Sequence, residues 1–195
     1  AREDANEVIG ALTGGNWVPE KTNKEIPVTQ VQQTPLSDFF AAVMFEYSDG
    51  ADVVAFQIDS DNAGLAPGPI KKKDIAYNYQ YATGEVTNYK ITGKDLKAYM
   101  EWSADYFNQA QPGDVTISFN PERRNSKYVT FDYFYGVDYE IDLTKPSGSR
   151  VVNVKWPDGS ALKDTDSLVL CMNAYRMKQL IAEGVALEGL NPEQL

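Results

Sequence analysis

The sequence predicts an α+β fold, a single domain in which a mixed β-sheet is packed by two long amphipathic helices. Three observations predict it. Helix-period and strand-period segments are interspersed along the 195 residues. Several strands are joined by short hairpin-type turns, and nowhere does a glycine-rich phosphate loop follow a strand and open a helix, as a doubly wound fold would require. At 43% hydrophobic and 12% aromatic the chain can form one sizeable core and is too short for two ordinary domains.

Each element has a local reason. Asn6–Leu12 suggests the end of a helix stopped by Gly14-Gly15, and a polar stretch through Gln33, with Pro19 and Pro27, completes a lead-in segment over 1–33. Thr34-Pro35 offers an N-cap followed by proline at the first helical position. Leu36, Phe39, Phe40, Val43, Met44 and Tyr47 then share one helical face, and Gly50 closes the helix. Ala51–Ile58 is a nearly continuous apolar run, short enough to be a buried strand. Asp59–Pro69, rich in Gly, Pro, Asp and Asn, reads as a loop, Ile70–Tyr77 as a short helix, and Glu85–Ile91 as a half-buried strand. Thr92-Gly-Lys-Asp95 resembles a capping box with Asp in place of Glu, and Leu96, Tyr99, Met100, Ser103, Ala104 and Phe107 continue on one face of the second long helix. Ala110–Lys127 reads as a long loop with a strand at Val115–Phe119. Tyr128–Tyr135 and Val137–Leu143 alternate as paired strands around a bend at Gly136. Arg150–Trp156 and Ser167–Met172 are further strands, Lys178–Gly184 begins a terminal helix, and 185–195 is a polar tail, so the domain proper spans 34–184.

Composition excludes whole classes of chemistry. The formal charge is −10 and the only basic run is Lys71-Lys72-Lys73, which argues against binding duplex nucleic acid. No stretch approaches the roughly 18 apolar residues of a membrane span, so no membrane insertion is expected. The chain begins without Met and inside a helix-like pattern, which suggests a fragment or a mature product. It contains no histidine, which removes Ser-His-Asp and Cys-His catalysis and the usual His-rich metal centres. Cys171, the single cysteine, lies in an apolar strand and reads as a buried, inert thiol. Carboxylates remain a possible source of acid, base or oxygen ligands, but Asp59-Ser60-Asp61-Asn62 is the nearest approach to a cation loop and reads better as a turn.

Tyrosine is in surplus. Of twelve, six lie between Tyr77 and Tyr106, and Tyr77, Tyr79 and Tyr81 alternate, so an extended segment would put them on one face. Core packing is the plain reading. The functional reading is a stacking platform, because every nucleobase offers a π-face. Tyr175 follows the last strong strand, where the apolar pattern yields to a polar one, a place suited to a ligand contact. The aromatic block Phe131–Asp142 reads as sheet core, with Asp132, Asp138, Glu140 and Asp142 at solvated positions.

The order and spacing of several segments resemble the C-terminal, substrate-binding domain of the 5′-nucleotidase family. They are Gly50-Ala-Asp-Val-Val-Ala-Phe-Gln57, the Ala63–Ile75 segment, Tyr79-Gln-Tyr81, Tyr89–Lys97, Met100–Ala104, Phe131–Asp142 and Asn173-Ala-Tyr-Arg176. The 2′,3′-cyclic-nucleotide 2′-phosphodiesterase/3′-nucleotidase branch is the nearest in pattern, over roughly Ile9 to Gly184. The resemblance implies a division of labour. A metallophosphoesterase domain on the N-terminal side would hold two divalent metal ions, while this domain would hold no cofactor and bind a nucleoside or nucleotide. By itself the chain would be catalytically inactive. Matched residue by residue, Tyr81 and Tyr175 become the two rings that sandwich the base, and Asn173 and Arg176, which flank Tyr175, become candidates for hydrogen bonds to base or ribose. Relatives often carry a Gly-Gly-Ile-Arg-like loop where this chain has Gln57–Gly64, so Gln57, Asp59 and Asn62 stand as polar ligand contacts in place of an arginine. Ala-Thr-Gly-Glu follows Tyr81 where a Pro-Asn-type turn is common, and Ala174 replaces the second Asn of an Asn-Asn-Tyr-Arg pattern. An extracellular, cell-wall or periplasmic location also follows from the resemblance. The rival reading is a stand-alone binding or cell-surface module that kept the fold and lost the ligand.

Overall fold

A computed structural model describes residues 2–18, 20, 26, 28–58, 60, 62–79, 85–124 and 132–195. The elements run α1 (Arg2–Ala5), β1 (Val8–Leu12), α2 (Pro35–Tyr47), β2 (Val53–Phe56), β3 (Gly68–Lys71), α3 (Lys72–Asn78), β4 (Val86–Thr92) and α4 (Gly93–Ala104). There follow α5 (Pro121–Arg124), β5 (Tyr133–Tyr135), β6 (Asp138–Ile141), β7 (Val151–Lys155), β8 (Ser167–Asn173), α6 (Ala174–Leu180) and β9 (Glu193–Gln194). They fall into two compact units, Ala1–Ala42 with Ile58–Gly84, and Val43–Gln57 with Glu85–Leu195.

In the first unit, Thr34 caps α2 reciprocally. Its Oγ1 accepts the Ser37 N–H at 3.4 Å while Ser37 Oγ accepts the Thr34 N–H at 2.7 Å, and Pro35 takes the first helical position. Leu36, Ser37, Phe40 and Ala41 are buried. The expected helix end at Asn6–Leu12 is instead strand β1, antiparallel to β3 from Val8↔Lys71 to Leu12↔Gly68. Val8 and Ile9 are β-branched, and pairing with a segment some sixty residues away overrides the weak local helical pattern. Asn78, at the end of α3, is fully used. Its Oδ1 accepts from Gly64 N at 2.6 Å, and its Nδ2 donates to Gly64 O at 3.0 Å and Asp74 O at 2.7 Å. This side chain pins the loop before β3 to the helix after it.

The second unit is built on a five-stranded sheet in the order β5-β2-β8-β4-β9. The β2–β8 pair is parallel and the others are antiparallel, so the sheet is mixed as expected. All four residues of β2 are buried, which is why it reads as an unbroken apolar run, whereas β4 alternates between exposed and covered positions. The capping box at α4 forms as read, with Thr92 N–H to Asp95 Oδ2 at 2.9 Å and Asp95 N–H to Thr92 Oγ1 at 3.2 Å. Leu96, Tyr99, Met100, Ser103 and Ala104 are its buried face. At its far end the buried Arg150 guanidinium takes the carbonyls of Ala104 (3.1 Å) and Phe107 (2.8 Å), while Glu101 accepts the N–H groups of Arg150 and Val151 at 3.0 and 2.7 Å. A cation on the last carbonyls of a helix is electrostatically favourable.

Four further expectations are corrected. β5 and β6 do not pair, because β5 joins β2 while β6 joins β7 in a separate two-stranded sheet. Gly136 turns the chain between the two sheets at φ +101°, where a Cβ would lie 2.1 Å from the Asp52 carbonyl oxygen. Val115–Phe119 forms no strand, and only Phe119 bridges to Phe107, in a cluster of edge-on rings with Tyr106. α6 begins at Ala174, four residues earlier than expected, because Asn173 caps it. The tail is not merely polar, since Leu187 is buried and β9 pairs with β4. Of the aromatic stretch from Tyr128, residues 128–131 lie outside the described residues.

Two predictions follow from these joints. Gly136→Ala combines a left-handed φ with a backbone clash and should destabilise the protein by at least roughly 1–3 kcal/mol in urea unfolding; an unchanged midpoint would contradict the corner. Asp166 accepts the Lys163 N–H at 2.9 Å and the Trp156 Nε1–H at 3.1 Å, and these bonds hold its carboxyl below the ordinary carboxylate range. Its contribution is present above that ordinary range and is lost as pH falls through the lowered value. Asp166→Asn should therefore lower Tm at neutral pH and narrow the gap between neutral and acidic Tm.

Candidate functional site

Because β2 and β8 run parallel, with Val53 opposite Leu170 and Ala55 opposite Met172, both leave the sheet at the same edge. Gln57 follows the last residue of β2, and Asn173 ends β8. The antiparallel β4 starts at this edge, with Val86 opposite Asn173 and the Glu85 carbonyl accepting the Ala174 N–H at 2.9 Å. Four of the residues singled out in the sequence, Gln57, Asn173, Tyr175 and Arg176, are thereby brought together by topology.

Behind that edge lies a buried polar cluster. Asp132, 2% exposed, precedes β5, and Arg176 stands in the first turn of α6. Their side chains meet as a fork, Nε to Oδ2 at 3.1 Å and Nη2 to Oδ1 at 3.2 Å. The Tyr99 hydroxyl donates to the same Oδ2, and Ser103 Oγ accepts the Asp132 N–H at 2.7 Å. Arg176 Nη1 donates to Gln179 Oε1 at 2.8 Å. The Gln57 amide, taken with its oxygen toward the guanidinium, accepts from Nε and Nη2 at 2.7 Å each. The Trp102 ring lies 5.2 Å from Arg176 Cζ and 3.9 Å from Arg123 Cζ. Burial pushes the Tyr133 hydroxyl well above its ordinary value and Tyr139 up to about 12, so both phenols stay neutral.

In front of the cluster the polarity reverses. Asn173 Oδ1 accepts the Tyr175 N–H at 2.8 Å and so caps α6. Asn173 is itself only 5% exposed, and its Nδ2 is buried with no hydrogen-bond partner among the described residues. Tyr175, between this cap and the Asp132-bound Arg176, is 60% exposed. A large ring on an ordered backbone, open to solvent, can stack on a flat ligand, and the amide beside it can donate one hydrogen bond.

Asn62 belongs to the first unit and is exposed, its N–H donating to Ser60 Oγ at 3.2 Å. Tyr81 and Asp59 lie outside the described residues. Asp132 was read as solvated and is corrected, since it lies in the interior; Glu140 is exposed and bonds Asn153, and Asp138 is exposed. Tyr99 and Trp102, read only as core or pattern, are parts of the cluster. A lone carboxylate at the head of an aromatic strand, with an Arg far along the chain, is the signal that could have indicated the pair. Cys171 is buried, and desolvation pushes its thiol up to about 11, so it stays protonated at neutral pH. Two surface clefts, of about 740 and about 550 Å³, are lined by other residues. The resemblance assigns the two-ion centre to another domain, not to this chain. There is no histidine, and among the described residues no group of three His, Cys, Asp or Glu is placed to hold an ion. Among the described residues no helix is long and apolar enough to cross a membrane.

An edge where parallel strands end and a capped helix presenting an exposed aromatic ring make up this end of the second unit. Residues 8–181 match the family model described as "5'-nucleotidase, C-terminal domain", and the chain belongs to that family. It is 25% identical over 175 residues to the trifunctional nucleotide phosphoesterase protein YfkN of Bacillus subtilis, covering 82% of this chain and 11% of that protein. It is 30% identical over 99 residues to the 2′,3′-cyclic-nucleotide 2′-phosphodiesterase/3′-nucleotidase of Haemophilus influenzae, covering 45% and 15%. A solved Staphylococcus aureus protein, assigned as a 5′-nucleotidase and in complex with alpha-ketoglutarate, superposes with a TM-score of 0.78 at 22% identity. That match covers all of this chain and 36% of that one, and it shows the fold alone. The chain thus spans a small part of the curated relatives it matches.

Removing one partner of the buried pair leaves the other charge desolvated, so Asp132→Ala should cost about 3–5 kcal/mol. Replacing both, with Asp132→Leu and Arg176→Met, should recover much of that loss. Urea unfolding of the single and double variants checks it, and additive losses would show that the two residues do not act as a pair.

Proposed function

We propose that the chain is the nucleoside- or nucleotide-recognition domain of a larger nucleotide phosphoesterase, and that a nucleobase stacks on Tyr175. The observation that carries this reading is the solvent-open Tyr175 ring on a backbone fixed on both sides, by the Asn173 cap and by the Arg176–Asp132 fork. Family membership and the naming of both relatives as nucleotide-ester hydrolases support it. Tyr81 is proposed as the opposing ring of the clamp, with Asp59 and Asn62 as polar contacts to the ligand. Gln57 and Arg176 are proposed to act mainly by holding the α6 turn in place, given the bonds of Arg176 to Gln57 and to Asp132.

The phosphoester chemistry, on 2′,3′-cyclic, 3′- or 5′-nucleotides, is proposed to belong to a metallophosphoesterase domain on the N-terminal side that carries two divalent ions. An exported bacterial enzyme, at the cell wall, in the periplasm or outside the cell, is the setting that fits this reading. Domain boundaries at 34 and 184 go with it.

Titration of the full-length protein with adenosine, uridine and their 3′-monophosphates tests the clamp. Tyr175→Ala and Tyr81→Ala should each weaken nucleoside binding roughly 5- to 150-fold, the equivalent of one lost stacking contact of about 1–3 kcal/mol, while Phe at either position should keep most of it. Unchanged affinity in both alanine variants would favour a module that has the fold without the ligand.

A further inference from the structure

We propose that the cleft between the end of α2 and the head of β4 is a second binding site, and that it takes an organic ammonium with a hydrocarbon body, a linear diamine or polyamine. The cleft measures about 740 Å³, a volume suited to a small molecule, lies wholly in the second unit and does not include the Tyr175 ring. Its place follows from the sheet. The β4–β8 register sets Val86 opposite Asn173, Asn88 opposite Cys171 and Lys90 opposite Val169, and opposed residues share a face. The main core takes Tyr89, Ile91, Leu168, Leu170 and Met172 from the other face. α2 ends over the first of these faces, where the Asn88 amide donates to the Ser48 carbonyl. Val43, Met44 and Tyr47 of α2 therefore line the cleft together with Val86 of β4 and the buried Cys171 of β8. Val43, Tyr47 and Val86 are left exposed.

The charge on this apolar cleft has one sign. Asp49 and Glu85 are exposed carboxylates in its lining, and among the described residues no Lys or Arg lines it with them. Lys90, the base nearest along β4, lies opposite Glu193 of β9 and outside the lining. The thirteen-residue α2 adds to the same sign, because it ends at the cleft with Glu46 and no base in its last turn. A helix favours cations at that end and disfavours anions. Asp49 itself sits in the left-handed region at φ +51°, where glycine or asparagine is the usual choice after a helix. An ammonium group placed there gains the carboxylate and the helix end, and the Tyr47 ring offers it a further attractive face. The Ser48–Asn88 bond sets Asp49 close to Asn88, and Glu85 lies three residues back along the strand, roughly 10 Å at the rise of a β-strand. Two acids spaced by apolar surface suit ammonium groups joined by methylenes. A bare metal ion needs its oxygen ligands gathered, and the same negative field repels a phosphate.

Calorimetric titration of the full-length protein with hexamethylenediamine and spermidine tests the site, with hexanediol and Mg²⁺ as controls. Both amines should bind saturably and hexanediol should not. Asp49→Asn and Glu85→Gln should each weaken the diamine about 2- to 5-fold, and Tyr47→Ala by a similar factor. Asn is at home in the left-handed region, so Asp49→Asn should unfold at a Tm no lower than the native protein without amine, and show a smaller rise in Tm when diamine is added. Adenosine affinity should be unchanged in Asp49→Asn, which keeps this result separate from that of the Tyr175 variants. The proposal is overturned if neither amine binds, if the variants bind diamine as the native protein does, or if hexanediol binds as well. It is also overturned if equimolar Mg²⁺ displaces the diamine, which would mark an inorganic cation site, or if a short apolar and lysine-bearing peptide displaces it at far lower concentration, which would mark a surface for a protein segment.

Discussion

The fork between Asp132 and Arg176 is the interaction on which the functional end of the molecule depends. Two charges with almost no solvent contact would each be expensive to bury, and they are tolerable here because the remaining hydrogen-bonding capacity is taken up. Tyr99 brings α4 to the carboxylate, Ser103 holds the Asp132 backbone, Gln57 brings the end of β2 to the guanidinium, and Gln179 closes the next turn of α6. Four segments remote in sequence are thus referred to one pair of side chains. Such a cluster acts through direction as much as through energy. An apolar core would hold α6 against the sheet equally well, but it would leave the rotation of the first turn less sharply defined.

That rotation decides what faces outward. Arg176 points into the cluster, so its predecessor in the same turn, about 100° around the helix, is carried to solvent. The inward pull of Arg176 and the outward display of Tyr175 are therefore one geometric fact. The Asn173 cap sets the other boundary by choosing where the helix begins.

What was legible in the sequence was what short-range chemistry decides. The Thr92–Asp95 box, the Thr34-Pro35 start and the unbroken apolar run of β2 all involve residues within a few positions of one another, and all three formed as read. The failures needed a distant partner. Val8–Leu12 is a strand only because Gly68–Lys71 lies beside it, and the alternation on either side of Gly136 cannot tell which sheet each half joins. On α2, Val43 and Tyr47 were placed on the apolar face, yet Tyr47 is 85% exposed while Ser37 is buried, because Ser37 serves the Thr34 cap. At the site, the aromatic character of Tyr175 and its place after the last strong strand were visible. The burial of Asp132 was not, since a carboxylate in an alternating strand looks solvated until its arginine is found 44 positions later.

The contrast between the two sides of this edge carries the last step. Behind it, the Arg176 guanidinium is engaged by Asp132 and by the Gln57 amide oxygen. In front, the Tyr175 ring is left uncovered on a backbone held by the Asn173 cap and by the Arg176–Asp132 fork. Because the backbone on both sides of Tyr175 is held before any ligand arrives, little main-chain freedom remains to be lost when a planar group stacks on its ring, as proposed.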